Sequence, residues 1–199
     1  MNFDRLITYI GKSNGVFIEA GANDGIFQSY TYPLEQEYGW TGVLVEPSIN
    51  AFNSCVHHRI RSQCINAALT NDPNIKELYG DFDGNPMSSI QGKRLGRAPQ
   101  FCVKALTLTQ IFNEYFTNTQ VDLMSIDVEN YEYEVLSGLD YSKHSPTFIL
   151  AEIYTNKFND VKELLEKNNY QYIDNITGYN YIDNPQWDGT HNDYLFKKL

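Results

Sequence analysis

The chain has 199 residues, 42% hydrophobic, 14% aromatic and 20% charged, which is enough to bury the core of one ordinary domain and too apolar for a disordered chain. Its 25 acidic and 15 basic side chains give a formal charge of −10, and its mean hydropathy is −0.45 with no long apolar run. A membrane span is excluded on that pattern, and a nucleic-acid partner is not expected, because neutralising phosphates supplies most of such affinity. Cys55, Cys64 and Cys102 are odd in number and scattered, and no CxxC occurs, so neither a disulfide framework nor a zinc knuckle is indicated. The first residues lack a basic region followed by an apolar stretch, so no signal peptide is read and a reduced, cytoplasmic setting is expected.

Short apolar runs alternate with amphipathic segments from one end to the other. Buried strands are predicted at 16–20, 43–46, 63–68, 121–127 and 147–153, with helices between them at 29–38, 48–57, 109–116, 131–139 and 159–168. Closing strands are predicted at 170–176 and 194–198. Near-continuous β-rich runs separated by helices predict an α/β fold: a doubly wound, mostly parallel seven-stranded sheet with helices on both faces, in a single domain over 1–199. Two stretches fit no element. Residues 80–100 hold four Gly and two Pro, and residues 178–193 mix turn formers with Tyr179, Tyr181 and Trp187. Long loops of this kind gather at the C-terminal edge of an open α/β sheet, where ligands bind, so both are expected to contact a ligand.

The segment 16–25 reads VFIEAGANDG: a strand ending at Glu19, then a turn flanked by Gly21 and Gly25 with Asn23 and Asp24 between them. The spacing E-x-G-x-x-x-G is not the G-x-G-x-x-G of a dinucleotide site. An acid at the strand end suits a cationic amino-acid moiety better than a pyrophosphate. Twenty-five residues after Gly21 the next strand ends in Glu46-Pro47, and a carboxylate there can accept both hydrogen bonds of a ribose diol. The third strand ends near Asn66-Ala67, where small side chains leave room for an adenine. Together these features describe a site for S-adenosylmethionine.

The runs VFIEAGANDGIFQSYTYPLEQEYGWTGVLVEPS, VDLMSIDVENYEYEVLSGLD and FILAEI resemble the FkbM family of S-adenosylmethionine-dependent methyltransferases from about Val16 to Ile153, and more weakly to HNDYLF near the C-terminus. The resemblance implies a Rossmann-like class I methyltransferase fold and transfer of a methyl group to oxygen, often on a sugar hydroxyl. It puts the family's cofactor acids on Glu19 and Glu46, its glycines on Gly21 and Gly25, and its Ser-x-Thr on Ser29 and Thr31. The family's Asp-x-Glu-Gly reads Asp127-Val128-Glu129-Asn130 here, an Asn replacing a Gly where positive φ is expected.

Methyl transfer to a hydroxyl needs alignment with the sulfonium methyl and a group that takes the hydroxyl proton. Asp127, Glu129, Glu152 and His191 are the candidates. Asp127 and Glu152 end neighbouring predicted strands, so they can converge on a divalent cation such as Mg²⁺ or Mn²⁺; alternatively Asp127 holds the cofactor's ammonium and Glu129 caps the following helix. The expected acceptor is a sugar, glycan or nucleotide-sugar. Tyr179, Tyr181 and Trp187 would offer faces to the ring, and Ser88, Ser89, Lys93, Arg94 and Arg97 would meet an anionic group. His57-His58-Arg59 with Arg61 reads mostly as solvated surface, although Arg59 matches an arginine common in the family. No Pro-Pro-aromatic or Pro-Cys signature of nucleic-acid methylation is present. A small natural product or lipid hydroxyl is the alternative acceptor, and a non-catalytic scaffold the alternative of another class. A nicotinamide-dependent oxidoreductase lacks its glycine fingerprint here.

Overall fold

The computed structural model describes residues 2–92 and 94–199. Strand and helix alternate in the order α1 (Phe3–Ile10), β1 (Val16–Ala20), α2 (Thr31–Tyr38), β2 (Thr41–Glu46), α3 (Ile49–His58) and β3 (Gln63–Asn66). Three short strands follow, β4 (Ala68–Leu69), β5 (Glu77–Gly80) and β6 (Phe101–Leu106). The chain then continues through α4 (Leu108–Tyr115), β7 (Leu123–Ile126), α5 (Glu132–Ser137), β8 (Phe148–Tyr154), α6 (Phe158–Lys167), β9 (Tyr170–Asn175) and β10 (His191–Lys198).

The main sheet has seven strands in the order β3-β2-β1-β7-β8-β10-β9. All neighbours from β3 to β8 pair in parallel, while β10 runs antiparallel between β8 and β9. This is the doubly wound, mostly parallel α/β sheet that the sequence predicts. Alternation along each strand sends side chains to two cores. Phe17, Leu44 and Leu123 pack with Leu6, Leu34 and Cys55 of α1, α2 and α3 on one face. Ile18, Val43, Val45 and Met124 pack with Ile111, Val135 and Val161 of α4, α5 and α6 on the other.

Local chemistry starts the helices where the pattern places them. Ser48 accepts from the Ala51 N–H at the start of α3, and Thr107 with Gln110 forms a reciprocal capping box at α4. The structure also departs from the expectation. The run 63–68 is two strands: β3 stays in the main sheet, whereas β4 pairs with β6, and β5 completes a second, three-stranded sheet. Helix α1 was not expected either. It docks through Arg5 and Tyr9, which both hydrogen bond Asp174 on β9.

The topological switch lies between β1 and β7, where the chain turns from one half of the sheet to the other. Ligands of open α/β sheets bind beyond the strand ends at such a point. Gly21 and Asp127 stand there side by side: the Asp127 N–H donates to the Ala20 carbonyl at 3.0 Å.

Candidate active site

A cleft of about 1310 Å³, part of it open to solvent, runs across the C-terminal ends of β2, β1, β7 and β8. One end is lined by Pro47, Ala51 and Ala67–Leu69, with Phe82 and Ile90 from the insertion between β5 and β6. The other is lined by Glu152, Thr177, Tyr179, His191 and Asp193. Gly21, Asp127 and Glu129 lie between.

The turn after β1 is held in left-handed backbone conformations at Gly21, Asn23 and Gly25. Gly21 needs its missing side chain for a reason the sequence did not disclose. At φ +81° a Cβ there would lie 1.6 Å from the Asp127 carbonyl oxygen, so the close approach is to the neighbouring strand's backbone. At the end of β2, the Glu46 carboxylate accepts the Asn23 N–H and the Ser48 N–H, each at 2.8 Å, and faces the cleft. Burial pushes its pKa up to about 7 against those two bonds.

Glu19 reaches the cleft wall, but its carboxylate serves the interior. It accepts the hydroxyls of Ser29 (2.8 and 2.9 Å) and Thr31 (2.6 Å), and Arg59 Nη1 lies 3.4 Å away. Ser29 and Thr31, which the family resemblance assigned to the cofactor, do not line the cleft; they hold Glu19. Arg59 is fully buried, contrary to the surface reading of its neighbourhood. Its guanidinium also bonds Glu35 (3.0 Å), the Gly25 carbonyl (3.0 Å), Ser29 (3.2 Å) and Thr31 (2.9 Å). Burial raises the Glu19 pKa while Arg59 and the two hydroxyls oppose the rise.

Asp24, Gly25 and Asn66 likewise shape the walls from behind. Asp24 Oδ1 accepts the N–H groups of Ile26 and Phe27. Asn66 donates to the carbonyls of Glu46 and Pro47 at 2.9 and 3.0 Å. Asn23, Pro47 and Ala67 line the cleft as expected.

Asp127, Glu129 and Glu152 converge, each offering an oxygen within 4.8 Å of the others. Burial, then the mutual repulsion of these acids with Asp193, raises Asp127 well above the usual carboxylate range and pushes Glu152 up to about 9. Glu129 is raised by burial and held down by the Tyr154 hydroxyl, which donates to it at 2.9 Å, and by Arg94 at 3.4 Å. Glu129 does not cap α5. The start of α5 carries no side-chain cap, and Glu132 instead braces the loop before it, accepting the Val128 and Asn130 N–H groups at 3.3 and 3.0 Å. Asn130 sits at φ +71°, so Asn keeps the left-handed turn that Gly serves in the family.

His191 belongs to β10, not to a preceding turn, opposite Tyr154 and two residues before Asp193, which pairs with Glu152. The Thr190 hydroxyl donates to Asp188 at 2.6 Å, so its oxygen accepts from His191 Nδ1 at 2.7 Å. That assignment leaves the lone pair on Nε2, 3.6 Å from Glu152 Oε2. Asp193 accepts the Tyr30 hydroxyl at 2.8 Å, and neither of these two cleft residues was singled out in the sequence. The only signal was their place: Tyr30 precedes a predicted helix, and Asp193 is a lone acid at a strand start.

Several expected acceptor contacts are absent. Tyr181 and Trp187 stack on each other, with ring centroids 5.1 Å apart, and do not line the cleft; Trp187 Nε1 donates to the His191 carbonyl instead. Arg97 pairs with Asp83, and Arg94 lies between Glu129 and Asp188 over the Tyr154 ring, so both cations are already paired with acids. Ser88 and Ser89 line the cleft beside Phe82. Lys93 lies outside the described residues. No helix among the described residues is long and apolar enough to cross a membrane.

Known proteins agree with this architecture. The TehB-like S-adenosylmethionine-dependent methyltransferase of Corynebacterium glutamicum superposes with a TM-score of 0.52 at 9% identity, covering 100% of this chain and 88% of that one. Aeropyrum pernix fibrillarin, solved with natively bound S-adenosylmethionine, gives 0.54 at 11% identity over 93% of this chain and 67% of that one. The precorrin-6y C5,15-methyltransferase of Geobacter metallireducens gives 0.54 at 8% identity over 98% and 88%. At such identities the likeness is one of fold, the class I Rossmann-like methyltransferase fold. No curated protein matches the sequence. The family model of the methyltransferase FkbM domain matches residues 19–172, from the acid that ends β1 to the middle of β9, and on that match the chain belongs to the FkbM family and is an S-adenosylmethionine-dependent methyltransferase.

Proposed function

We propose that the protein transfers a methyl group to a hydroxyl of a sugar or glycan, with the donor along the β2–β1–β7 edge and the acceptor at the β8–β10 end. The residues present suit the donor. Glu46 offers carboxylate lone pairs beyond its two backbone bonds to a ribose diol, and Pro47, Ala67 and Phe82 give an apolar slot for the adenine. The acids around Asp127 suit the cationic methionyl end, and Glu19 acts from behind by fixing the end of β1. S-adenosylmethionine supplies an electrophilic methyl on a sulfonium. The chain's own part is to orient the hydroxyl and to accept its proton at His191 Nε2.

The observation that carries this reading is the far end of the cleft: His191 Nε2 stands beside the acids Glu152 and Asp193, side chains able to hydrogen bond sugar hydroxyls, and beside the Tyr179 ring. The test is release of S-adenosylhomocysteine against panels of glycans, nucleotide-sugars, lipid hydroxyls and RNA oligomers, with wild type and His191→Ala. Turnover on a carbohydrate, lowered at least about a hundredfold in kcat by the substitution with donor affinity kept, is expected. Turnover confined to RNA, or a variant as fast as wild type, overturns it.

An alternative role for the Asp127–Glu129–Glu152 cluster, in place of a hold on the methionyl end, is a divalent cation, which these three acids would bind and which would lower the pKa of the acceptor hydroxyl. On this reading EDTA abolishes turnover and Mg²⁺ or Mn²⁺ restores it. Full activity in EDTA would leave the cluster as a protonated hydrogen-bond site for the acceptor.

A further inference from the structure

A pair of cysteines outside the cleft forms a site of its own. Cys55 on α3 is fully buried, and Cys64, on the edge strand β3, is partly exposed. Their Sγ atoms lie 3.4 Å apart, within hydrogen-bond distance for sulfur, so a disulfide bond of about 2.05 Å needs the sulfurs to close by only about 1.4 Å. Cys64 is the accessible sulfur of the pair and the one that a reagent from solvent reaches first. Cys55 also supports the glycine turn. A Cβ at Gly25 would lie 3.0 Å from Cys55 Sγ and 2.7 Å from Arg59 Cγ, so the turn rests directly on these two side chains.

We propose that Cys55 and Cys64 form a reversible intramolecular disulfide by exchange with a small-molecule disulfide of the glutathione type, and that closing it weakens donor binding through Gly25. In the first step the Cys64 thiolate attacks one sulfur of the oxidised glutathione; the S–S bond breaks, one glutathione thiolate leaves, and Cys64 carries a mixed disulfide. In the second, Cys55 gives up its proton and attacks Cys64 Sγ, releasing the second glutathione thiolate. Two electrons pass from the protein thiols to the reagent, and two reduced glutathiones result. Drawing Cys55 Sγ toward β3 takes packing from beneath Gly25, whose carbonyl is also tied to Arg59 at 3.0 Å. This second half rests on the donor placement proposed above.

The test uses the full chain with Cys102→Ser, which removes the exposed third thiol, equilibrated across a series of reduced to oxidised glutathione ratios, acid-quenched and alkylated. A linked peptide joining Cys55 to Cys64, two hydrogens lighter and restored by dithiothreitol, is expected. Calorimetry of the reduced and oxidised forms with S-adenosylhomocysteine is expected to show at least about fivefold weaker binding when oxidised, the lower end of ordinary coupling between sites. Thiols that stay free across the series, or Cys64 halted at a stable glutathione adduct, overturn the disulfide. Equal affinity of both forms overturns the coupling. A reduced protein that does not bind S-adenosylhomocysteine contradicts the donor placement and overturns the coupling with it, while the linked peptide still decides whether the disulfide forms.

Discussion

Gly21→Ala is expected to remove measurable binding of S-adenosylhomocysteine and to destabilise the protein by about 3 kcal/mol or more. Two costs combine. A residue with a Cβ held at φ +81° loses on the order of 1–2 kcal/mol from backbone sterics alone. The new methyl group would also lie 1.6 Å from the Asp127 carbonyl oxygen, so β1 and β7 must part at the point where the donor is proposed to lie. The Gly21 and Ala22 N–H groups both donate to the Val45 carbonyl, at 3.0 and 3.2 Å, so the displacement would carry into β2 and Glu46. Thermal unfolding and calorimetry on the same sample check it. Wild-type affinity in a folded variant would show that the turn is not part of the donor site.

Arg59→Met is expected to have a comparable effect on stability by another route. Arg59 is the only cation paired with the Glu19 and Glu35 carboxylates among the described residues. Removing one partner of a buried ion network costs about 3–5 kcal/mol, because the remaining charges stay buried without compensation. In a domain of this size that corresponds to a melting temperature lower by roughly 10 °C. The sign with pH follows from Glu19. Its pKa is already raised by burial, and loss of Arg59 raises it further. A carboxyl whose folded pKa lies above its unfolded value stabilises the fold most below the unfolded value, and that contribution is lost as pH rises through the folded one. The deficit of Arg59→Met relative to wild type should therefore grow as pH rises above the ordinary carboxylate range. Arg59→Lys should rescue little, because a single ammonium cannot reproduce bonds that leave all three guanidinium nitrogens in separate directions. A deficit independent of pH would mean that the network contributes packing and no charge.

These two positions mark the limit of what the sequence discloses. Strand ends and glycines were legible because they are local: apolar runs of strand length ending in Glu19 and Glu46, a turn spaced E-x-G-x-x-x-G, and a Ser that caps α3. The family resemblance set Arg59 apart, but its burial was not legible, since nothing in HHRIRSQ distinguishes a buried arginine from a solvated one; its partners Glu19 and Glu35 lie 40 and 24 residues away. The small sheet was hidden for the same reason. β4 has two residues, and its pairing with β6 spans the Gly- and Pro-rich stretch that reads as a loop. That stretch places Phe82 and Ile90 in the wall beside Ala67, at the donor's adenine end in our reading, where acceptor contacts had been expected. At the other end, His191 was a candidate from the sequence, but the strand that it begins was masked by its own polarity. A strand that begins His-Asn-Asp looks like a turn, yet Asn192 ties Thr177 and Tyr179 at 2.9 and 2.8 Å while its neighbours face the cleft.

Glu19 and Glu46 look equivalent in the sequence as acids at adjacent strand ends. Geometry separates them, for Glu19 is enclosed by Ser29, Thr31 and Arg59, whereas Glu46 holds two backbone N–H groups and keeps a face toward the cleft. On the donor placement proposed above, its hold on the protein would therefore run chiefly through Glu46. Glu46→Gln keeps the volume and a carbonyl acceptor but gives up half of the carboxylate's accepting capacity, and calorimetric titration of this variant with S-adenosylhomocysteine addresses the point directly. The expected result is a folded protein whose Kd is weaker by about tenfold or more, the value of one charge-assisted hydrogen bond; a Kd equal to that of wild type would contradict the placement of the donor ribose at the end of β2.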